Sequence, residues 1–459
     1  MKELPQPGKK TDRRVPPRVR LPVNVVNDGL CVRCGFCLDI CPFGLVSPDE
    51  RFFPTMSPDC LERCTGCGLC VKGCPGDVVD FVALYQRLFG KVPEPRDING
   101  VIDTVYVGYS LNRQVRLQGS SGGVVTELLC HLLREGFIDQ ALVCGMNPEK
   151  PWEPDPVLAR SEEEILAATQ SKYTIVPQMR RISRIIKSRK KTAIVGLPCQ
   201  LHAFRKFEAT YSRISEKVPV LIGLVCHSTL EIEATSKLLQ LAGIKPEHIA
   251  RLEYRGGEWP GVMRAHLKNG ETRSLHSLNA MTAFRRLSLL YTPERCLTCI
   301  DHTAEFSDLS IMDPCIRDEK GRYPYTRGYS LVIARTQKAV YLLNHAMDRG
   351  SLYLEEISPS MLASQLGPMI RKKKINAPIR MDRLRKRGRP YPSYNVSFPP
   401  ATFHDKLLEI WDCLKRIPGR RTWTRDLGAR LLFSEFGDYL MKAKEALKQR
   451  KHAFQTRRS

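Results

Sequence analysis

The sequence predicts a multidomain chain of α+β and α/β structure, with a small cysteine-rich module, a mixed-sheet α/β body and a basic helical extension. Three observations predict it. Two cysteine-rich loops with the same internal spacing recur 33 residues apart near the front. From about Val101 the cysteines thin out, and short apolar runs alternate with helical periodicity. The formal charge of +24 is carried by the ends: residues 1–20 hold +5 and residues 371–459 hold +16, leaving +3 for the 350 between. A length of 459 residues suggests roughly two to four domains. The expected division is a basic disordered segment 1–20, the cysteine module 21–90, a body 101–390 in two parts (101–185 and 190–390), and an extension 391–459. No apolar run approaches the ~20 residues that span a bilayer. The basic, proline-containing start lacks the apolar stretch of a secretory signal, and nothing apolar follows Arg13-Arg14. A cytoplasmic protein, soluble or peripherally docked to a membrane complex, is expected.

Seventeen cysteines are many for such a chain. In a reducing compartment, clustered cysteines point to metal and not to disulfides. The first loop reads Cys31-x2-Cys34-x2-Cys37-x3-Cys41-Pro42, and the second repeats it as Cys64-x2-Cys67-x2-Cys70-x3-Cys74-Pro75. Such short spacing lets one loop wrap three thiolates around one face of a cubane, while the fourth cysteine, followed by proline, reaches the other cluster. Two [4Fe-4S] sites follow: Cys31, Cys34, Cys37 and Cys74, then Cys64, Cys67, Cys70 and Cys41. Gly35, Gly66, Gly68 and Gly73 let backbone amides turn toward the sulfurs. Paired Cys-x2-Cys units also build zinc sites, but the doubled spacing with its prolines favours cubanes. Cys60 lies outside the pattern and reads as a free thiol. The module resembles a bacterial-type two-cluster ferredoxin, with short strands expected at 23–27 and 78–81. Ferredoxin modules move single electrons, so the rest of the chain must supply a two-electron site or a docking partner.

The body opens with an alternating strand at 103–109. Gln118-Gly-Ser-Ser-Gly-Gly123 then leads into a helix at 124–134. A glycine- and serine-rich turn entering a helix offers free amides and a positive dipole end to an anion. Lacking the full GxGxxG pattern, the same turn reads equally well as structural. A strand at 140–144 and a helix opened by the capping box Ser161-x-x-Glu164 lead to Ser171-Lys172-Tyr173 in a loop. Strands at 193–197 and 218–226 run into Cys199 and Cys226. Isolated cysteines are commonly inert small apolar residues. With Cys296-x2-Cys299, however, they complete a four-thiolate set at the carboxyl edge of a parallel sheet, where α/β folds place ligands. A third cluster is expected there. Asn269-Gly270 marks a hairpin. Strands at 309–313 and 330–335, with a helix at 338–347, close a mixed sheet that is not a pure Rossmann domain.

Five motifs in order carry a family resemblance: Gln118-Gly-Ser-Ser-Gly-Gly-Val-Val-Thr126, Ser171-Lys172-Tyr173, Gly196-Leu-Pro-Cys-Gln200, Arg255-Gly-Gly-Glu-Trp-Pro-Gly261, and Arg295-Cys-Leu-Thr-Cys-Ile-Asp301 with Asp308. On them, residues 101–390 resemble the family of coenzyme F-420 (F420) hydrogenase/dehydrogenase beta subunits, which also includes 7-hydroxymethyl chlorophyll a reductases. The resemblance implies a flavin domain with one FAD, a [4Fe-4S] cluster near its isoalloxazine, and hydride exchange with a deazaflavin. Gly119, Ser120, Ser121, Gly122, Gly123 and Thr126, with Ser171, Lys172 and Tyr173, are then the expected FAD contacts. Lys172 would stabilise negative charge on reduced flavin, Tyr173 would stack or hydrogen-bond at its edge, and Arg255 would meet an anionic group of the substrate. The chain departs from the family at Ile311-Met-Asp-Pro-Cys315, where Cys315 competes with Cys226 as fourth thiolate.

Behind the body, Arg371-Lys-Lys-Lys374 and Arg383-Leu-Arg-Lys-Arg-Gly-Arg389 are dense basic runs, followed by Pro390, Pro392, Pro399 and Pro400. Phe403, Leu407, Ile410, Trp411 and Leu414 form one stripe of a helix that Pro418 ends, and 431–447 offers a second amphipathic helix. The extension either packs on the body or docks to an acidic redox protein or a larger electron-transfer complex. Trp423 among Arg420, Arg421 and Arg425 lacks any nucleic-acid recognition motif, so nucleic acid is not an expected partner. The expected function is a flavo-iron–sulfur oxidoreductase acting on coenzyme F420. Alternatives are a ferredoxin-dependent reductase of another unsaturated or pigment-like substrate, or a non-catalytic electron-relay subunit.

Overall fold

The computed structural model describes residues 21–95, 98–314, 316, 324–325 and 328–439. The amino-terminal module consists of helices Pro22–Asn27 and Phe36–Ile40, strands β1 (Val46–Pro48) and β2 (Pro54–Met56), and helices Cys60–Arg63 and Leu69–Lys72. The duplication is repeated in the backbone. Gly35 and Gly68 are both left-handed (φ 86° and 70°), and each caps the helix that follows it. A Cβ on Gly35 would lie 2.5 Å from the Pro177 carbonyl of the body, so only glycine fits there.

The two strands expected to flank the cysteine loops do not form. At 23–27, Pro22 in the first turn and an Asn24 Oδ1 that accepts from the Leu21 amide at 2.8 Å start a helix instead. Near 78–81, Asp80 caps helix Phe81–Phe89 by accepting from the Ala83 amide at 2.9 Å, leaving one isolated bridge from Val78 to Ser393. Capping outweighs the β-propensity of a short valine run.

The body holds β3 (Thr104–Ser110), β4 (Gln140–Met146), β5 (Pro154–Ala159), β6 (Thr192–Gly196), β7 (Val220–Leu224), β8 (Ile249–Gly256), β9 (Val262–Leu267), β10 (Thr272–Asn279), β11 (Leu309–Met312), β12 (Ser330–Ala334) and β13 (Leu352–Glu356). Eight of them form one mixed sheet in the order β13-β3-β12-β11-β7-β6-β4-β5. Neighbours among β4, β6, β7 and β11 are parallel, and the outer pairs are antiparallel. β6 is buried along its whole length, as its uninterrupted apolar run requires. Its side chains alternate: Ala193 and Val195 join the core under helices Val124–Arg134 and Gln337–Asp348, and Ile194 faces Leu201, Phe204 and Phe207 of helix Pro198–Thr210. Phe36 and Ile40 of the front module complete that second core, with Phe36 5.3 Å from the Phe207 ring. The two parts expected within the body share this sheet, since β3 lies between β12 and β13. The Asn269-Gly270 turn (Gly270 φ 86°) joins β9 to β10 in a separate three-stranded sheet with β8.

The carboxyl-terminal segment departs furthest from expectation. Helix Pro359–Arg371 continues through a π-helical turn, Lys372–Asn376, into helix Ala377–Lys386. Pro378 lacks an amide, and its ring crowds the carbonyl four residues back, so the widened turn keeps the helix continuous. The basic run does not stay in solvent: Lys373 and Lys374 are buried, and Lys374 Nζ is 2.5 Å from Glu305 Oε1. Helix Phe403–Lys415 is inverted. Phe403 and Trp411 of its apolar stripe are 76% and 58% exposed, whereas Asp405 and Glu409 are 2% and 0% exposed. Basic side chains of the preceding helices cause this: Arg371 pairs with Asp405 at 2.7 Å, and Arg380 with Glu409 at 2.7 Å and Asp412 at 2.6 Å. Of the second expected helix, Leu431 and Leu432 end helix Thr422–Leu432, residues 435–439 are helical, and 440–447 lies outside the described residues.

Hydrogen bonds from Thr402, reinforced by Arg371, lower the Asp405 carboxyl from 3.8 to about 2. A carboxylate whose pKa falls on folding stabilises the fold above its unfolded value and ceases to do so as pH drops through its folded one. Amide exchange over 403–415, measured relative to the main sheet, should therefore accelerate as pH falls from about 4 toward 2. Asp405→Asn should show the faster exchange already at neutral pH.

Candidate functional site

Cys31, Cys34 and Cys37 from the first repeat and Cys74 from the second line one cavity, together with Val25, Phe36, Phe52 and Pro54. Burial is the main cause that pushes the Cys31 thiol up to about 11, and it raises Cys37 further, with Cys74 adding to the effect. Cys70 is pushed up to about 12 by burial and then by Cys41, Cys67 and Cys64, so the other four cysteines also gather across the repeats. Cys67 is exposed. Buried Cys60 lies beside Cys64 and Cys41, a neighbour that the spacing did not mark.

The central four cysteines come from three segments at one sheet edge. β6 ends at Gly196, and Cys199 follows in the first turn of helix Pro198–Thr210. β7 ends at Leu224, and the Cys226 amide donates to the His302 carbonyl at 2.8 Å. Cys296 lies within the 3-10 turn Glu294–Thr298, and Cys299 caps it. The Cys199 thiol is raised well above its usual value by burial, then by Cys226, Cys299 and Cys296, so these four face one another. Cys34 of the front module also acts on Cys199, and Cys70 acts on Cys37. The first set thus has members within electrostatic reach of both the central and the second. Cys315 lies outside the described residues.

The donor chemistry fits iron–sulfur clusters. Buried thiols raised this far become thiolates only when a metal compensates the charge. Among the described residues no three His, Cys, Asp or Glu side chains close tightly enough on one point to grip a single ion; a cubane needs its thiols spread around a larger body. Beside Cys226, His227 Nδ1, Ser228 Oγ and His302 Nε2 are buried with no hydrogen-bond partner among the described residues. A group filling this region would meet polar atoms that the protein leaves unsatisfied.

Arg295, next to Cys296, joins the module to the body. It is buried, and its guanidinium donates to the carbonyls of Leu30 (3.0 Å) and Gly76 (2.9 Å) and to the Tyr394 hydroxyl (3.0 Å). Leu30 precedes Cys31 and Gly76 follows Cys74, so one planar fork holds both edges of the first set against the central one.

The expected flavin residues gather from two segments of the body. The Ser171 amide donates to Ser120 Oγ at 2.7 Å, which brings the glycine turn and the Ser171-Lys172-Tyr173 loop together. The glycines are also required by packing: a Cβ on Gly122 would lie 2.5 Å from the Gly108 carbonyl, and the Gly122 amide donates to Ser330 Oγ at 3.0 Å. Gly119 packs against Gly123, left-handed Gly123 (φ 74°) caps helix Val124–Arg134, and half-buried Thr126 lies in that helix's first turn. Lys172 Nζ donates at 2.6 Å to the carbonyls of both Ala168 and Thr169 at the end of helix Glu162–Ala167. Burial of its ammonium group lowers the pKa to about 8, against an opposing pull from Cys144. Tyr173 packs on Phe284 with ring centres 4.9 Å apart, and its hydroxyl is 3.5 Å from Arg255. Arg255 is not left open to solvent: it is buried and paired with Asp313 at 2.8 Å, which also accepts from Trp259 Nε1 at 3.0 Å. Sequence reasoning passed over Asp313 as a partner, although it stands one residue beyond β11 at the same carboxyl edge as Cys199 and Cys226.

Residues 105–183 match the amino-terminal family model of the coenzyme F420 hydrogenase/dehydrogenase beta subunit, and residues 189–360 match the carboxyl-terminal model of that same protein. Residues 30–79 match a 4Fe-4S dicluster domain. A coenzyme F420-dependent sulfite reductase of Methanocaldococcus jannaschii is 26% identical over 72% of this chain and 48% of its own, so the chain spans about half the length of that relative. One component of the F(420)H(2) dehydrogenase of Methanosarcina mazei is 25% identical over 65% of this chain and 78% of its own. A chain of the F420-reducing [NiFe] hydrogenase complex from Methanosarcina barkeri shares the fold over 66% of this chain and 99% of its own, with a TM-score of 0.50 and 22% identity. With both halves of the family model matched in order behind the cysteine module, the chain belongs to the family of coenzyme F420 hydrogenase/dehydrogenase beta subunits and carries a 4Fe-4S dicluster domain.

Proposed function

We propose that this chain couples two-electron exchange with coenzyme F420 to single-electron transfer through three [4Fe-4S] clusters toward a redox partner. The gathering of Cys199, Cys226, Cys296 and Cys299 at one sheet edge, behind a cavity lined by Cys31, Cys34, Cys37 and Cys74, is the observation that carries the reading. FAD, when bound, supplies the exchange between a hydride carrier and single electrons, and the clusters take electrons one at a time.

The chain's own residues divide the remaining work. Cys199, Cys226, Cys296 and Cys299 would hold the central cluster; Cys31, Cys34, Cys37 and Cys74 the next; Cys64, Cys67, Cys70 and Cys41 the outermost. The turn Gly119–Gly123, with Thr126 and Ser171, would contact the FAD. Lys172 keeps a positive charge beside Ser171 below about pH 8 and releases its proton above it. Tyr173 offers a ring face and a hydroxyl. Arg255 orients Asp313 and Trp259, and an anionic substrate group would have to share Arg255 with Asp313. Relatives named as hydrogenase and dehydrogenase subunits support a larger complex as the partner, and the basic extension suits an acidic surface on it.

The test is anaerobic mixing of the purified chain with coenzyme F420 and a viologen. Deazaflavin absorbance should change only with the protein present, FAD should be released on denaturation, and iron should count about twelve per chain. Protein loaded with iron but devoid of flavin after reconstitution, and inert toward F420, would overturn the reading.

A further inference from the structure

Lys373 belongs to the basic run Arg371-Lys-Lys-Lys374. It is only 5% exposed. Its Nζ donates to the Cys296 carbonyl at 3.2 Å. The charged or ionisable groups nearest it are the thiols of Cys299, Cys226 and Cys296, then Asp301. Three of the four central thiols thus face one buried ammonium, and no cysteine of the front module is among its strong partners. Other charges near this site include Arg295, whose guanidinium is turned to the carbonyls of Leu30 and Gly76, Arg33, paired with Glu231 at 2.7 Å, Arg416, paired with Asp412 at 3.3 Å, Lys372, and Asp301, which His202 engages at 2.9 Å. The imidazoles of His227 and His302, with ring centres 6.2 Å apart, also lie within electrostatic reach of Lys373. The π-helical turn Lys372–Asn376 carries this lysine, and such turns recur where a helix must re-aim a side chain at a functional site.

We propose that Lys373 sets the reduction potential of the central cluster, acting as a fixed buried cation beside Cys226, Cys296 and Cys299. This rests on the reading that those thiols, with Cys199, hold a [4Fe-4S] cluster. A four-thiolate cubane becomes more negative by one charge when it takes up one electron, so an adjacent cation favours the reduced form and raises the potential. Low dielectric around a buried ammonium makes the effect larger than a surface lysine would produce. Lys373 thereby biases electrons toward the central cluster without touching substrate. It is a positioning residue in the electrostatic sense.

The experiment is a redox titration of the full-length reconstituted chain, followed by electron paramagnetic resonance, for wild type, Lys373→Met, Lys373→Gln and Lys373→Arg. Lys373→Met removes the charge at similar length, and Lys373→Gln also keeps a donor for the Cys296 carbonyl. Both should lower the midpoint of one signal so that, at the wild-type midpoint, the ratio of reduced to oxidised central cluster falls about tenfold, equivalent to about 59 mV for one electron. The other two midpoints and the iron content should not move, and Lys373→Arg should restore the wild-type value. An unmoved central midpoint at full iron loading overturns the proposal. So does loss of central iron in both uncharged variants, which would make Lys373 an assembly residue. A wild-type chain with only about eight irons and two signals overturns the cluster reading beneath it, a result distinct from the other two.

Discussion

Arg295→Met releases the front module from the body while leaving its clusters intact. The guanidinium is the donor for the carbonyls of Leu30 and Gly76 and for the Tyr394 hydroxyl, all buried. Methionine fills similar volume but leaves those acceptors unpaired, at roughly 1–3 kcal/mol each. Two such losses shift the docking equilibrium by roughly 30-fold or more, since about 1.4 kcal/mol corresponds to tenfold. Limited proteolysis should then cut in the 90–100 connection, and spin coupling between front and central clusters should weaken. Arg295→Lys should recover only part of the effect, because a point charge cannot serve two separated carbonyls as a planar fork does. An Arg295→Met protein that resists protease like wild type would show that the remaining contacts, among them Phe36 on Phe207 and the Arg33–Glu231 pair, suffice to hold the module.

The second large effect is expected from the central thiols. Cys199→Ser and Cys226→Ser should each lower iron by about four atoms per chain and leave the two front signals in place. Turnover between coenzyme F420 and viologen should fall by more than the roughly 10–100-fold typical of losing a residue that merely hydrogen-bonds to a metal ligand. Cys60→Ser is the matching control: Cys60 is buried beside Cys64 and Cys41 but outside the repeated spacing, so iron should stay constant. If Cys60→Ser loses iron and Cys41→Ser does not, the outermost set must be redrawn.

Much of this was legible in the residues alone. The doubled cysteine spacing, the hairpin at Asn269-Gly270, the buried strand ending near Gly196 and the mixed sheet all reappear in the structure. The failures are equally specific. Two valine-bearing segments became helix or cap because Pro22 and Asp80 provide helix starts that outrank strand propensity. The stripe from Phe403 to Leu414 indicated a helix but not which face it buries, because the arginines that draw Asp405 and Glu409 inward lie on preceding helices. Arg255 looked available to a substrate, yet Asp313, 58 residues away, stands against it.

By itself the sequence determined which cysteines share a loop, where strands run into them, and that parallel strand ends would gather them at one edge. Reach along a short loop and alternation along a strand are local properties, readable from spacing. Only the tertiary structure decided which charge stands beside which thiol: Lys373 at the central set, Arg295 between that set and the module, Lys374 against Glu305. A buried charge persists only where partners from distant segments compensate it, and no pattern within its own segment names those partners.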